Sequence, residues 1–282
     1  MLCCIGDLCE DIVIWPDGEI THGADTTAVI SRRRGGSAAN VAYFAAAVGT
    51  PSRFIGALGD DLGGWALTEE MTSIGVDVKV QRVGRTGTIV ILVSGDGERT
   101  MITDRGAARD LTDVPMHWLD AVRWLHVPFY SLEVEPLGAT TFALMAEARR
   151  RSIPISIDAS SSSLLASFGV EQAAGLIADA IGSPDVLFAN AEEDATLAGR
   201  WPADVIIVKH GPDPAMVRRC GEADLIVAVG NAIEPIDSTG AGDAFAAGVI
   251  GARLEGHDWG DAVRAGHGLA QRVLRSPGAT LG

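Results

Sequence analysis

Positive charge is scarce in this sequence: 22 lysine and arginine residues stand against 37 aspartate and glutamate, a formal net charge of −15 at pH 7. Nucleic acid demands a basic face, which excludes it as a partner, and an anionic membrane surface suits this chain no better. A nucleotide ligand has to be held by local donors and a metal ion, not by the overall field. Cysteine is equally thin. Cys3, Cys4, Cys9 and Cys220 are too few and too unevenly spaced for a disulfide framework. With no Cys-x-x-Cys pair and no neighbouring histidine, they do not read as a metal cluster, and Cys4 and Cys9 alternate with apolar residues as buried thiols do. No apolar run approaches the about 18 residues of a membrane span. The N-terminus carries Asp7, Glu10 and Asp11 but no basic stretch, so it does not read as a secretion signal, and a cytoplasmic setting is expected. Aromatic residues make up only 5% of the chain while 47% of residues are hydrophobic, a balance that fits alanine-rich helices packed on valine and isoleucine strands.

Short apolar runs alternate with helical stretches through most of the 282 residues. Strands are expected at Cys3–Gly6, Arg53–Ala57, Trp124–Val127, Ile153–Ile157, Val186–Ala189 and Val205–Val208. Helices are expected at Ala38–Val48, Leu62–Ser73, Glu135–Arg151, Val170–Ile181 and Ala191–Ala198. Near-continuous apolar strands separated by helices imply a parallel sheet covered on both faces. Residues 12–34 and 76–106 break this rhythm, with polar alternation and turns such as Pro16-Asp17-Gly18 and Gly95-Asp96-Gly97. Alternation means one wet face, so both are expected in a small antiparallel sheet, a lid on a single α/β domain spanning 1–282.

Two glycine turns carry the chemistry. In Asp237-Ser238-Thr239-Gly240-Ala241-Gly242-Asp243, glycines open a long small-residue helix, with the strand-like Ala232–Ile236 leading in. Such a turn leaves backbone N–H groups unpaired at the positive end of the helix dipole, a receptor for phosphate. A carboxylate at that place repels an anion unless it takes the proton of the attacking group, which points to phosphoryl transfer onto a hydroxyl. A plain strand-to-helix turn, with Asp243 as a first-turn charge, accounts for the same residues. In Arg32-Arg33-Arg34-Gly35-Gly36-Ser37-Ala38-Ala39-Asn40, two glycines allow close backbone approach and Asn40 offers a donor and an acceptor, chemistry suited to polyol hydroxyls; a tight turn with Asn40 as a cap is the alternative. The three arginines read as a solvated edge. Asp60 or Asp61 reads as a helix N-cap. Asp11 lies where the first strand leaves the core, where ligands gather in a parallel sheet, although an exposed strand-end charge would look the same.

Together these stretches resemble the ribokinase-like carbohydrate kinases, the PfkB family. Residues 35–59 look like that family's first signature and residues 237–250 its second, in the expected order. The resemblance covers nearly the whole chain and implies a three-layer sandwich: a central, mostly parallel sheet, helices on both faces and a small β lid. It implies an ATP-dependent kinase acting on a hydroxymethyl group of a sugar or sugar derivative, with a nucleoside kinase or a sensing pseudokinase as alternatives. Carried over residue by residue, Asp243 is the general base and the N–H groups of Gly240, Ala241 and Gly242 form the anion hole. Asp11, Gly35, Gly36 and Asn40 would grip the acceptor. Lys209, Gly211 and Asn190 would meet the nucleotide, and Asn190 and Glu193 would hold Mg²⁺ through water. Asp237, Thr239 and the Ser276–Gly278 loop are the candidate K⁺ site, and a homodimer through the lid is common among relatives. Ser37 replaces the lysine of ribokinase, and Pro212-Asp213-Pro214 replaces a more usual glycine-bearing turn. Arg105, within Thr103–Ala107, is a further candidate for acceptor contact, while His210 and His267 either pack or face solvent or line the base pocket.

Overall fold

The computed structural model of the chain describes residues 1–95, 99–230, 233–276 and 278–281. The apolar runs assemble into a nine-stranded sheet. From edge to edge it runs β13 (Leu225–Val227), β12 (Asp213–Arg219), β11 (Val205–His210), β10 (Val186–Asn190), β9 (Ile155–Asp158), β8 (Trp124–Pro128), β1 (Leu2–Ile5), β4 (Ser52–Leu58) and β5 (Asp77–Arg82). All neighbours are parallel except β11–β12 and β12–β13. Alternation within each strand splits the core in two. Leu2, Cys4, Phe54 and Phe188 point to one face, where α1 (Ser37–Ala47), α2 (Leu62–Ser73), α7 (Ala241–Glu255) and α8 (Trp259–Val273) pack. Cys3, Ile5, Ile55 and Leu187 point to the other, beneath α3 (Leu137–Arg150), α4 (Ser162–Phe168), α5 (Val170–Ile181) and α6 (Ala191–Leu197). The expected three layers are present, and Cys3, Cys4 and Cys9 are buried free thiols.

A four-stranded sheet stands off this core in the order β3 (Ala28–Gly35), β2 (Cys9–Pro16), β6 (Thr88–Val93) and β7 (Arg99–Asp104). Two expectations need correction here. Residues 77–82 form β5, the edge strand of the large sheet, because they pair in parallel with β4. The small sheet is mixed rather than antiparallel, since β2 and β6 run parallel. β2 and β6 each follow a strand of the large sheet, β1 and β5, and enter the small sheet in the same direction.

Strands β12 and β13 and helices α4 and α8 were not anticipated. Pro214 disguises β12, and Gly260, Gly266 and Gly268 dilute the helical pattern of α8. The strand expected before the second glycine turn is absent over Ile233–Ile236, where Pro235 lacks an N–H and the Ile236 amide donates to the Leu274 carbonyl at 2.8 Å. Ala232, Pro277 and Asp96-Gly97 lie outside the described residues. Among the described residues, no single helix is long and apolar enough to cross a membrane.

Candidate active site

A cleft of about 830 Å³ lies beyond the C-terminal ends of the parallel strands, with the small sheet over it. Alternation on that sheet turns Asp11, Ile89, Ile91, Met101 and Thr103 toward the cleft. The large sheet presents Asp7, Asp158, Asn190 and Lys209 from its strand ends.

Asp243 stands in the first turn of α7, behind the left-handed Gly240 (φ 76°). Its Oδ1 accepts from Ser37 Oγ and its Oδ2 from Asn40 Nδ2, each at 2.7 Å. The two glycine turns, far apart in sequence, therefore meet on one carboxylate. Burial pushes its pKa up to about 7, against the bonds from Ser37 and Asn40 that favour the ion, and Asp158 adds repulsion. A side chain so poised can exchange a proton near neutrality. The amides of the turn are less free than the sequence implied. Ala241 N–H donates to the Ser238 carbonyl at 3.2 Å, a long bond an anion would have to displace. Lys209 is close by, for an ideal Cβ on Gly242 would lie 3.4 Å from its Nζ.

Asn40 owes its orientation to Arg34, which contradicts the expectation of a solvated arginine edge. Arg34 is 3% exposed, stacks over the Tyr43 ring at 4.0 Å and donates to Asn40 Oδ1 and, at 2.8 Å, to the Ala279 carbonyl. With its oxygen engaged, the amide must present Nδ2 to Asp243. Arg32, two residues earlier, does stay in solvent, paired with Glu10.

Asp11 is 8% exposed and its Oδ1 is buried without a hydrogen-bond partner among the described residues. Burial and then the nearby Asp7 raise its pKa to about 7. Asp11 lines the cleft, where its carboxylate can accept from a ligand hydroxyl. Gly36, Ser37 and Asn40 line the cleft, but Gly35 does not. Its role is spatial: a Cβ there would fall 2.0 Å from Asp11 Oδ1. Arg105 also reaches the cleft, bound to Asp7 at 2.8 Å and stacked 4.7 Å over Tyr130.

At the other end, Asn190 and Glu193 cap α6 reciprocally. Asn190 Oδ1 accepts from Glu193 N at 2.9 Å and Glu193 Oε2 accepts from Asn190 N at 2.7 Å. Asp158, which the sequence reading passed over, pairs with Lys209 Nζ at 2.9 Å. Burial and then Asp158 raise the pKa of Glu193. Two carboxylates that repel one another across a cleft fit a hydrated divalent ion. No group of three or more His, Cys, Asp or Glu side chains among the described residues would hold a metal by itself, so such an ion would rely on phosphate and water as well. Gly211, His210 and His267 line the same end, with His267 edge-on to Phe245 at 5.1 Å. Asp61 caps α2 by accepting from Gly64 N at 2.8 Å. Asp237 binds Thr239 N and Gly278 N at 2.7 Å each, and Arg99 takes its remaining reach.

The model of the pfkB family carbohydrate kinases matches residues 1–282. The chain is 30% identical over 265 residues to a fructokinase of Klebsiella pneumoniae, covering 87% of this chain and 82% of that protein. Among solved structures, adenosine kinase from Sinorhizobium meliloti superposes with a TM-score of 0.87 at 22% identity, over 99% of this chain and 94% of that one. A sugar kinase from Pyrococcus horikoshii in complex with ATP gives 0.84 at 22% identity, with the same coverage.

Proposed function

The chain belongs to the pfkB family of carbohydrate kinases, and on that premise we propose that it transfers a phosphoryl group from ATP to a hydroxymethyl group of a sugar or sugar derivative, with Asp243 as general base. One observation carries this reading: a buried carboxylate sits at a helix N-terminus inside the cleft, held by Ser37 and Asn40. Asp243 takes the acceptor's proton, the acceptor oxygen forms its bond to phosphorus, and the bond to ADP breaks. The Gly240 and Gly242 amides, with Ala241 once turned from Ser238, receive the charge on the transferred group. Lys209 adds a fixed positive charge beside them. Asp11, Gly36 and Asn40 hold the acceptor, while Asn190 and Gly211 meet the nucleotide. Mg²⁺, held through water by Glu193 and Asn190 and drawn by Asp158, would neutralise phosphate charge. The small sheet acts as a lid that excludes water.

A nucleoside acceptor is the second reading. It is favoured by the apolar lining of the cleft, which includes Ile89, Ile91, Met101 and Tyr130, a surface a base plane fills better than a polyol does. Incubation with ATP, Mg²⁺ and a panel of sugars, sugar acids and nucleosides separates these. ADP release with one class assigns the acceptor, and saturable binding without ADP release across the panel would mark a sensor instead of an enzyme. We place the protein in the cytoplasm, which fractionation of the source cells tests. A homodimer through the lid belongs to the same proposal. Ile12, Ile14, Ile30, Val90, Leu92 and Ile102 share the lid's outer face by register, with Ile30 60% and Ile102 59% exposed. Sedimentation as a monomer at assay concentration rules it out.

The raised pKa fixes a pH dependence. Only ionised Asp243 accepts a proton, so kcat/KM should rise about tenfold per pH unit toward neutrality and level off above about 7. Ser37→Ala removes a donor that favours the ion, and the acid limb should move up by about 0.7 unit. A limb unmoved in the pH–rate profile of that variant would detach the titration from Asp243.

A further inference from the structure

The turn beside the anion hole is where the family resemblance placed a monovalent cation, and the side chains there do not fit one. Both oxygens of Asp237 are already engaged. Oδ1 accepts from Thr239 N at 2.7 Å and from the Arg99 guanidinium, and Oδ2 accepts from Gly278 N at 2.7 Å. The same guanidinium donates through Nη1 to Thr239 Oγ1. One planar fork therefore spans the Asp237 carboxylate, expected as a cation ligand, and the hydroxyl of Thr239, whose backbone was the other. The pair is largely shielded, with side chains 23% and 12% exposed, so its attraction is less screened than that of a surface pair. A crevice of about 10 Å³ remains alongside, lined by Arg33, Arg34 and Arg99 as well as Asp237, Thr239 and Gly278. Asp11 lines it too, so three guanidinium groups stand against two carboxylates, and a further cation would still meet more positive than negative charge there.

We propose that Arg99, reaching from β7 of the lid, supplies from within the chain the positive charge that a monovalent cation would bring to the Asp237–Gly240 turn, and that the enzyme therefore needs no K⁺. This inference rests on the kinase reading only for the meaning of the turn, since Arg99's occupancy of Asp237 stands independently. Arg99 also lines the main cleft, so the lid strand and the phosphate turn share one ion pair. A bound ion must be captured from solution, whereas this charge is delivered by the docking of the small sheet itself. In that role Arg99 is a positioning residue: it orders the turn through Asp237 and Thr239 while the amides receive the phosphoryl charge.

The test replaces all Na⁺ and K⁺ by tetramethylammonium at constant ionic strength and reads two quantities on the whole protein. The first is ADP release with whichever acceptor the panel identifies. It is expected to change by less than about twofold between the two buffers, and Arg99→Ala is expected to lose about tenfold in kcat, with Arg99→Lys retaining more. The second is the thermal unfolding midpoint, which needs no acceptor and should be the same with K⁺ and with tetramethylammonium. A tenfold or greater activation of the unaltered enzyme by K⁺, or a rise in its midpoint specific to K⁺, overturns the proposal. So does an Arg99→Ala enzyme of full activity. Absence of ADP release with every acceptor would instead refute the kinase reading, while the midpoint comparison still decides the cation.

Discussion

Asp243→Asn is expected to lower kcat by about a thousandfold while nucleotide affinity stays within about twofold. Asparagine fills the same volume and its carbonyl can still accept from Ser37, so that bond survives. The amide cannot take the acceptor's hydrogen, and its NH₂ would face the Asn40 Nδ2 that now donates at 2.7 Å. Stability should not fall in step. The folded pKa of Asp243 lies near 7, above its ordinary value of 3.8, chiefly through burial. A group raised on folding takes up protons between those values, so its contribution to stability falls as pH rises from about 4 to about 7 and stays lost above. Asparagine carries no such penalty, which offsets its donor–donor contact with Asn40, and the variant's midpoint at pH 8 should stay within about 4 °C of that of the parent. An inactive but undiminished fold is the result to look for in paired calorimetry and steady-state assays. Near-normal turnover would remove Asp243 as the base.

Gly36→Ala is expected to cost about 4 kcal/mol of stability, through strain and overpacking together. Gly36 has φ +101°, a region closed to other residues, and a Cβ there would lie 2.4 Å from the Asp7 carbonyl oxygen. Neither side can yield easily. The Asp7 carbonyl accepts from Ala39 N at 3.3 Å, and the Gly36 carbonyl accepts from Asn40 N at 2.9 Å. Because Ser37 and Asn40 follow directly, the shift that relieves the clash also withdraws donors from Asp243. Gly49 provides the control. Its φ is +88° but nothing lies within 4 Å of an added Cβ, so Gly49→Ala should cost only the about 1–2 kcal/mol of backbone strain. Equal denaturation midpoints for the two variants would show that the contact with Asp7 is not what constrains this turn.

The α/β core was legible because buried parallel strands are written as unbroken apolar runs; the observed α2 and α5 coincide with their expected ranges, Leu62–Ser73 and Val170–Ile181. Its far edge was not, because β12 opens Asp213-Pro214 and closes on Arg218-Arg219, leaving only a three-residue apolar run. At the site, the Asp243 turn announced itself by a carboxylate standing where an anionic ligand would be received. The fate of Arg34 was hidden, since Arg32 and Arg34 share a face of β3 and differ only in depth. Two residues along, the strand has run beneath Tyr43 and Ala279. Asp158 carries no local motif, yet its place at the C-terminal end of a parallel strand is the signal that singled out Asp11 and would have served again. Arg99 meets Asp237 across 138 residues, and no periodicity within either segment points to the other.

The bonds from Ser37 and Asn40 to Asp243 close loops of 206 and 203 residues. Contacts that distant in sequence form late, after the neighbouring strands and helices have paid most of their ordering entropy. During refolding the helical signal should accordingly return before turnover does, and the interval between them times the arrival of α7 beneath the N-terminal glycine turn. For a chain still being synthesised, the same separation leaves Ser37 and Asn40 without their carboxylate until residue 243 has been made, so on the proposed mechanism no shorter chain spends ATP.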